Sequence, residues 1–177
     1  MSGVSWIKSF RKWPMMANKD SDYAISRVEK ITQKNLDINQ FLVSKVGVEK
    51  DKFSNGADAV DVTYHDPCHL KKSLGVFAEP RSLISANPGY RLKEMLNSDQ
   101  CCGLGGSFNL EYYELSANIG KVKRDNIKAS GCSIVATGSP ACMLQISDML
   151  SKSGDNIVVK HPIEIYAELL KSGSSPD

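Results

Sequence analysis

Cys132-Ser133-Ile134-Val135-Ala136-Thr137 is a short, almost continuous apolar run. Such a run reads as a strand buried on both faces, as in a parallel sheet. Just before it, Gly131 closes a long helix expected over residues 111–129. Just after it, Gly138-Ser139-Pro140-Ala141-Cys142 turns the chain into a helix that runs to about Leu150. The same punctuation recurs outward. Upstream, Ala59 to Tyr64 reads as a strand, Pro80 to Ala86 as a short helix and Tyr90 to Met95 as a second strand. Downstream, Asn156 to Lys160 is a last strand, and Pro162 opens a last helix that reaches Lys171. Strands alternating with helices predict an α/β fold: a mostly parallel, Rossmann-like sheet with flanking helices.

Residues 20–47 read as an N-terminal helical appendage. Ser21 is a cap, and Ala24, Val28, Ile31, Ile38, Phe41, Leu42 and Val46 recur at three- and four-residue steps. Asn35 divides it, and Asp37 caps the second helix. Residues 51–58, with Ser, Asn and Gly, read as a linker. The segment from Leu36 to Leu42 echoes that from His161 to Ala167. Residues 1–58 are therefore expected to be the tail of an upstream copy of the module at 59–172. A disordered tail is expected over 173–177.

The 177 residues carry 22 basic and 20 acidic side chains, a net charge of +2, which gives no footprint for nucleic acid. The basic clusters Lys8, Arg11, Lys12 and Lys121, Lys123, Arg124, Lys128 read as solvated helix faces. Trp6, Trp13, Met15 and Met16 read as an apolar surface left by a missing module. No apolar h-region opens the chain, and no stretch nears the ~20 apolar residues that span a bilayer. A cytoplasmic, reducing setting is the expectation, and there the five cysteines are metal ligands or redox groups sooner than disulfides.

Cys101-Cys102 stand side by side before Gly103-Leu104-Gly105-Gly106. Adjacent side chains diverge, so two thiols serve one centre only if the backbone bends sharply, as glycine permits. Cys68 lies in His65-Asp66-Pro67-Cys68-His69-Leu70, and Cys142 follows the strand at 132–137. In a parallel sheet ligands gather at the carboxyl ends of the strands, where these loops fall. Four thiolates suit a [4Fe–4S] cluster; zinc held by the same sulfurs is the alternative. N–H groups of Gly103, Gly105 and Gly106 can hydrogen-bond sulfur and raise a reduction potential. His65 and His69 are candidates for hydrogen bonds around the centre, His161 precedes a helix cap, and Cys132 belongs to the core. Met143, Leu144, Ile146 and Met149 read as core packing. No phosphate loop or catalytic triad is visible.

The three cysteine motifs together resemble the cysteine-rich CCG domain family, which includes the heterodisulfide reductase B-like proteins, over about residues 59–172. The match is to the iron–sulfur subunits of glycolate and lactate oxidases in particular, through the single cysteine of the last motif and Lys160-His161-Pro162-Ile163-Glu164. One departure stands out: Ser139 occupies the first position of the family's Cys-x-x-Cys. The resemblance implies an electron-transfer subunit whose partner is a flavin-containing dehydrogenase carrying FAD, with a membrane electron acceptor beyond it. Cys68, Cys101, Cys102 and Cys142 are the implied ligands. It also implies a ferredoxin-like part and a first repeat, so the chain is expected to be a C-terminal fragment or split gene product. Five-cysteine relatives build a non-cubane cluster; with Ser139 an ordinary cubane is expected. A heterodisulfide-reductase-like thiol–disulfide module and a zinc-stabilised docking domain remain the alternatives.

Overall fold

A computed structural model describes residues 35–49 and 55–172. Four strands, β1 (Val60–His65), β2 (Tyr90–Leu92), β3 (Ile134–Thr137) and β4 (Val158–Lys160), pair in parallel in the order β2-β1-β3-β4. Every residue of β3 is buried, because helices cover both faces of the sheet. The helices are α1 (Ile38–Phe41), α2 (Ala78–Ser85), α3 (Phe108–Glu111), α4 (Tyr113–Ala129), α5 (Pro140–Lys152) and α6 (Pro162–Ser172).

The alternation of β3 divides the core. Val135 packs with Met95, Cys102, Ile127, Cys142, Ile146 and Leu150, under α4 and α5. Ile134 and Ala136 pack with Val62, Tyr64, Ile84 and Ile165, under α2 and α6. Burial of each large side chain is worth about 1.5–3 kcal/mol, so the two layers are each driven by their own apolar set.

Chain direction across the sheet sets the site. From β1 the chain moves outward to β2, then crosses back over β1 to β3 and on to β4. The order therefore reverses between β1 and β3. Loops leaving two such strands part to opposite faces and open a crevice at their carboxyl ends. Those ends are in register, His65 beside Thr137.

Several boundaries differ from expectation. β2 stops at Leu92, and Met95 beyond it enters the core. A separate turn, α3, precedes α4. Asp37 caps α1 as expected, accepting the N–H of Asn39 at 2.9 Å, and the chain continues as a π-helical turn, Leu42–Val46. His161 is itself the cap of α6, not a residue before it. Its Nδ1 accepts the N–H of Ile163 at 3.2 Å, and Glu164 accepts the N–H of His161 at 2.5 Å, a reciprocal capping pair. Leu144 is 70% exposed, against the core role expected of it. The expectations for Trp6, Trp13, Met15, Met16, Ser21, Ala24, Val28, Ile31, part of the linker and the tail at 173–177 lie outside the described residues. Among the described residues no helix is long and apolar enough to cross a membrane.

Candidate metal centre

β1 ends on His65, which is 1% exposed. Its Nδ1 lies 3.1 Å from the Ser98 carbonyl. A carbonyl only accepts, so Nδ1 carries the proton and Nε2 presents a lone pair. Nε2 is buried and has no hydrogen-bond partner. Burial first, then the Lys123 charge, hold this imidazole neutral and bring its pKa down to about 4. Asp66 follows. Its N–H donates to the same Ser98 carbonyl at 3.0 Å, and Ser98 Oγ donates to its carboxylate at 3.0 Å. Arg81 grips Asp66 with Nη1 at 2.7 Å and Nη2 at 3.0 Å, pairs with Glu94, and lies over the Tyr64 ring. These contacts fasten the loop at 97–100, and so aim the cysteine pair that follows it.

Gly103 makes the bend. Its φ is +99°, and a Cβ there would sit 2.5 Å from the Ser116 carbonyl oxygen in α4. Only glycine fits this approach. With the chain so bent, Gly103 N–H donates to Cys101 Sγ at 3.4 Å, and the Leu104 N–H acts to lower the Cys102 pKa. Gly105 and Gly106 instead turn the chain into α3, the Gly105 carbonyl accepting from Phe108 N–H at 3.4 Å. Ser116 Oγ donates to the Gly103 carbonyl at 2.9 Å, and Asn109 links Ser116 to Gln145 of α5.

Cys142 arrives in the first turn of α5, with Pro140 at the helix start. Ser139 holds the cap position without a side-chain bond to the helix backbone, and its hydroxyl acts to lower the Cys142 pKa. Cys102 Sγ donates to Cys142 Sγ at 3.3 Å across a separation of 40 residues. The thiols form a relay. Sharing a hydrogen bond with Cys102, and then burial, push the Cys101 pKa up. Cys101 lowers Cys102, but Cys142 and burial outweigh it and leave Cys102 at about 11. The bond from Cys102, opposed by burial and helped by Ser139, lowers Cys142. Cys142 is therefore the member of this trio whose ionisation is eased.

A ring nitrogen of His65 and the sulfurs of Cys102 and Cys142 lie within 4.8 Å of one another. Cys68 and Cys101 are exposed, and the charge of each raises Cys142. Neither belongs to the group that His65, Cys102 and Cys142 form. His69 stands apart: it is half-buried at the start of the π-helical turn His69–Leu74 and feels Asp37. Cys132 is buried in the core.

Lys123 does not lie on a solvated face, and the structure corrects that expectation. It is 0% exposed, with Nζ donating to the carbonyls of Asn97 at 2.7 Å and Ser98 at 3.2 Å. Burial is the main cause that brings its pKa down to about 8, against the pull of Asp99, Cys102, Asp66 and Cys101.

The donor set fits a soft metal centre. Thiolates are soft ligands, Cys101 already receives a backbone N–H bond, and the bare His65 Nε2 has the tautomer that metal-ligating imidazoles adopt when the other nitrogen donates to a carbonyl.

The family model for the CCG cysteine-rich domain matches residues 62–147. The chain is 40% identical over 119 residues to one subunit of the fumarate reductase (CoM/CoB) of Methanothermobacter marburgensis, covering 67% of this chain and 24% of that protein. It is 30% identical over 166 residues to one subunit of the dihydromethanophenazine:CoB–CoM heterodisulfide reductase of Methanosarcina barkeri, covering 92% of this chain and 38% of that one. It is 27% identical over 156 residues to lactate utilization protein A of Bacillus subtilis, covering 88% and 64% respectively. The chain spans less than two thirds of the length of each of these relatives. With the vicinal cysteines, the single cysteine after β1 and the one opening α5 all inside it, the segment 62–147 of this chain belongs to the cysteine-rich CCG domain family.

Proposed function

We propose that this chain is an iron–sulfur electron-transfer module in which Cys68, Cys101, Cys102 and Cys142 hold a [4Fe–4S] cluster. Its partner is a flavin-bearing dehydrogenase, carrying FAD, that oxidises a 2-hydroxy acid such as lactate or glycolate. A membrane acceptor takes the electrons. The single observation that carries the reading is the meeting of Cys102 and Cys142, 3.3 Å apart at the crevice of a parallel sheet, beside a histidine nitrogen with no other partner. Kinship to the heterodisulfide reductase of Methanosarcina barkeri and to lactate utilization protein A supports a redox role. The domain at 59–172 is the working unit.

The cluster, when bound, supplies one-electron storage. The chain does the rest. Gly103 and Leu104 aim N–H groups at sulfur, which favours added negative charge. Ser139 holds the Cys142 thiolate, and Ser98 fixes the orientation of His65. Anaerobic reconstitution, dithionite reduction and electron paramagnetic resonance test this: a signal from a reduced cluster supports it, and its absence in iron-loaded protein overturns it.

A second reading has an observation of its own. His65, Cys102 and Cys142 are spaced for a single ion, and with one more cysteine they make a zinc site. Metal analysis separates the two. A thiol–disulfide catalyst fits less well, since Ser139 removes the fifth thiol that the five-cysteine relatives carry.

A further inference from the structure

Lysine is almost never fully buried unless its charge is paired. Lys123 is fully buried, and among the described residues its ammonium is held by two backbone carbonyls. Carbonyl dipoles satisfy its hydrogen bonds but do not neutralise a charge. The nearby carboxylates favour the cation from a distance and are shared with other partners: Asp66 with Arg81 at 2.7 Å, and Asp99 with Lys71 at 3.0 Å. The other groups that feel this cation are the thiols of Cys102 and Cys101 and the His65 imidazole, which it helps to keep neutral. The Ser98 carbonyl ties it to the site, accepting also from His65 Nδ1 and from Asp66 N–H. A buried cation therefore stands behind the cysteine pair, fixed on the carbonyl that also orients His65.

We propose that Lys123 is the internal counter-charge of the metal centre, stabilising its reduced state and raising its reduction potential. This rests on the iron–sulfur reading above. The step concerned is the arrival of one electron given up by the partner's flavin. No bond in the chain forms or breaks, and the site gains one unit of negative charge. A fixed positive charge in a low-dielectric interior lowers the free energy of that added charge. Lys123 is a positioning residue, since it touches carbonyls and not the ligands.

Three variants of the full chain test it. Lys123→Met fills the same space without a polar group, Lys123→Gln retains a donor for Asn97 and Ser98, and Lys123→Arg retains the charge. Each is reconstituted anaerobically, assayed for iron and sulfide, and titrated by spectroelectrochemistry. At the potential that half-reduces the unchanged chain, the reduced-to-oxidised ratio is expected to fall at least tenfold in both neutral variants, a downward shift of about 59 mV or more for a one-electron couple. Lys123→Arg is expected to stay near the unchanged chain. The neutral variants cover one another if one fails to fold. A purely structural lysine would lower iron content or melting temperature and leave the potential where it was. That result in either neutral variant overturns the inference while the iron–sulfur reading stands. An unchanged chain that takes up no iron overturns that reading, and this inference with it.

Discussion

His65 donates a hydrogen bond from Nδ1 to the carbonyl of Ser98, 33 residues away, and so keeps Nε2 bare on a ring that meets Cys102 and Cys142. Removing the ring removes either a ligand or a group that orients the ligands. His65→Ala is expected to weaken metal retention by about 10–100-fold, the usual effect of losing such a partner. Competition with a chelator measures this. Unchanged retention would reduce His65 to a core histidine.

The clamp of Arg81 on Asp66 is a second test. Burial raises the Asp66 pKa, but Arg81, Ser98 and Lys71 more than offset it, and the net shift is downward. A carboxyl whose folded pKa is depressed stabilises the fold above its unfolded value, about 3.9, and loses that contribution as pH falls through the folded value. Acid unfolding of the chain should therefore steepen below about pH 4. Arg81→Met removes the main partner of buried Asp66 and leaves it Ser98 at 3.0 Å and Lys71 at 3.7 Å, at a cost of about 3 kcal/mol. Urea melts at pH 7 and pH 3 check both statements. A variant that loses no stability at pH 7 would contradict them.

Ser139 speaks to Cys142. Its hydroxyl helps hold the thiolate, and a hydrogen bond to a charged group is worth about 1.5–3 kcal/mol. In metal-free protein at neutral pH, Ser139→Ala should slow labelling of Cys142 by a small thiol reagent about tenfold, the equivalent of the lower end of that range. Peptide-resolved mass spectrometry reads the rate at this cysteine. Equal rates would mean the serine plays no part in its ionisation.

Gly103→Ala forces a Cβ to 2.5 Å from the Ser116 carbonyl at a φ of +99°. Left-handed backbone alone costs an ordinary residue about 1–2 kcal/mol, and the clash adds to it. Thermal unfolding of the metal-free chain should show a loss of about 2 kcal/mol or more. A stable variant would mean the bend is not fixed by this contact.

Much of this arrangement is legible in the residues. The apolar run ending at Thr137 and the alternation around Val62 and Tyr64 mark the inner strands, because a strand covered on both faces tolerates little polarity. Cysteines placed just after those strands then have to meet, since parallel strands deliver their loops to one end. Lys123 is hidden by its neighbours: Lys121, Arg124 and Lys128 make the stretch look solvated. The signal that could find it is helical spacing, for Lys123 shares a face with Ser116, Gly120 and Ile127, all buried. The cap role of His161 is hidden because histidine is not among the favoured cap residues. The Ser98 carbonyl leaves no trace in composition, because a backbone atom carries no side-chain identity.

The most direct test is metal and acid-labile sulfide analysis of anaerobically reconstituted chain, beside the double variant Cys102→Ala, Cys142→Ala. The account predicts about four irons and as many sulfides per unchanged chain, with none retained by the variant. One tightly held zinc with no iron, or iron that survives loss of both cysteines, would contradict it.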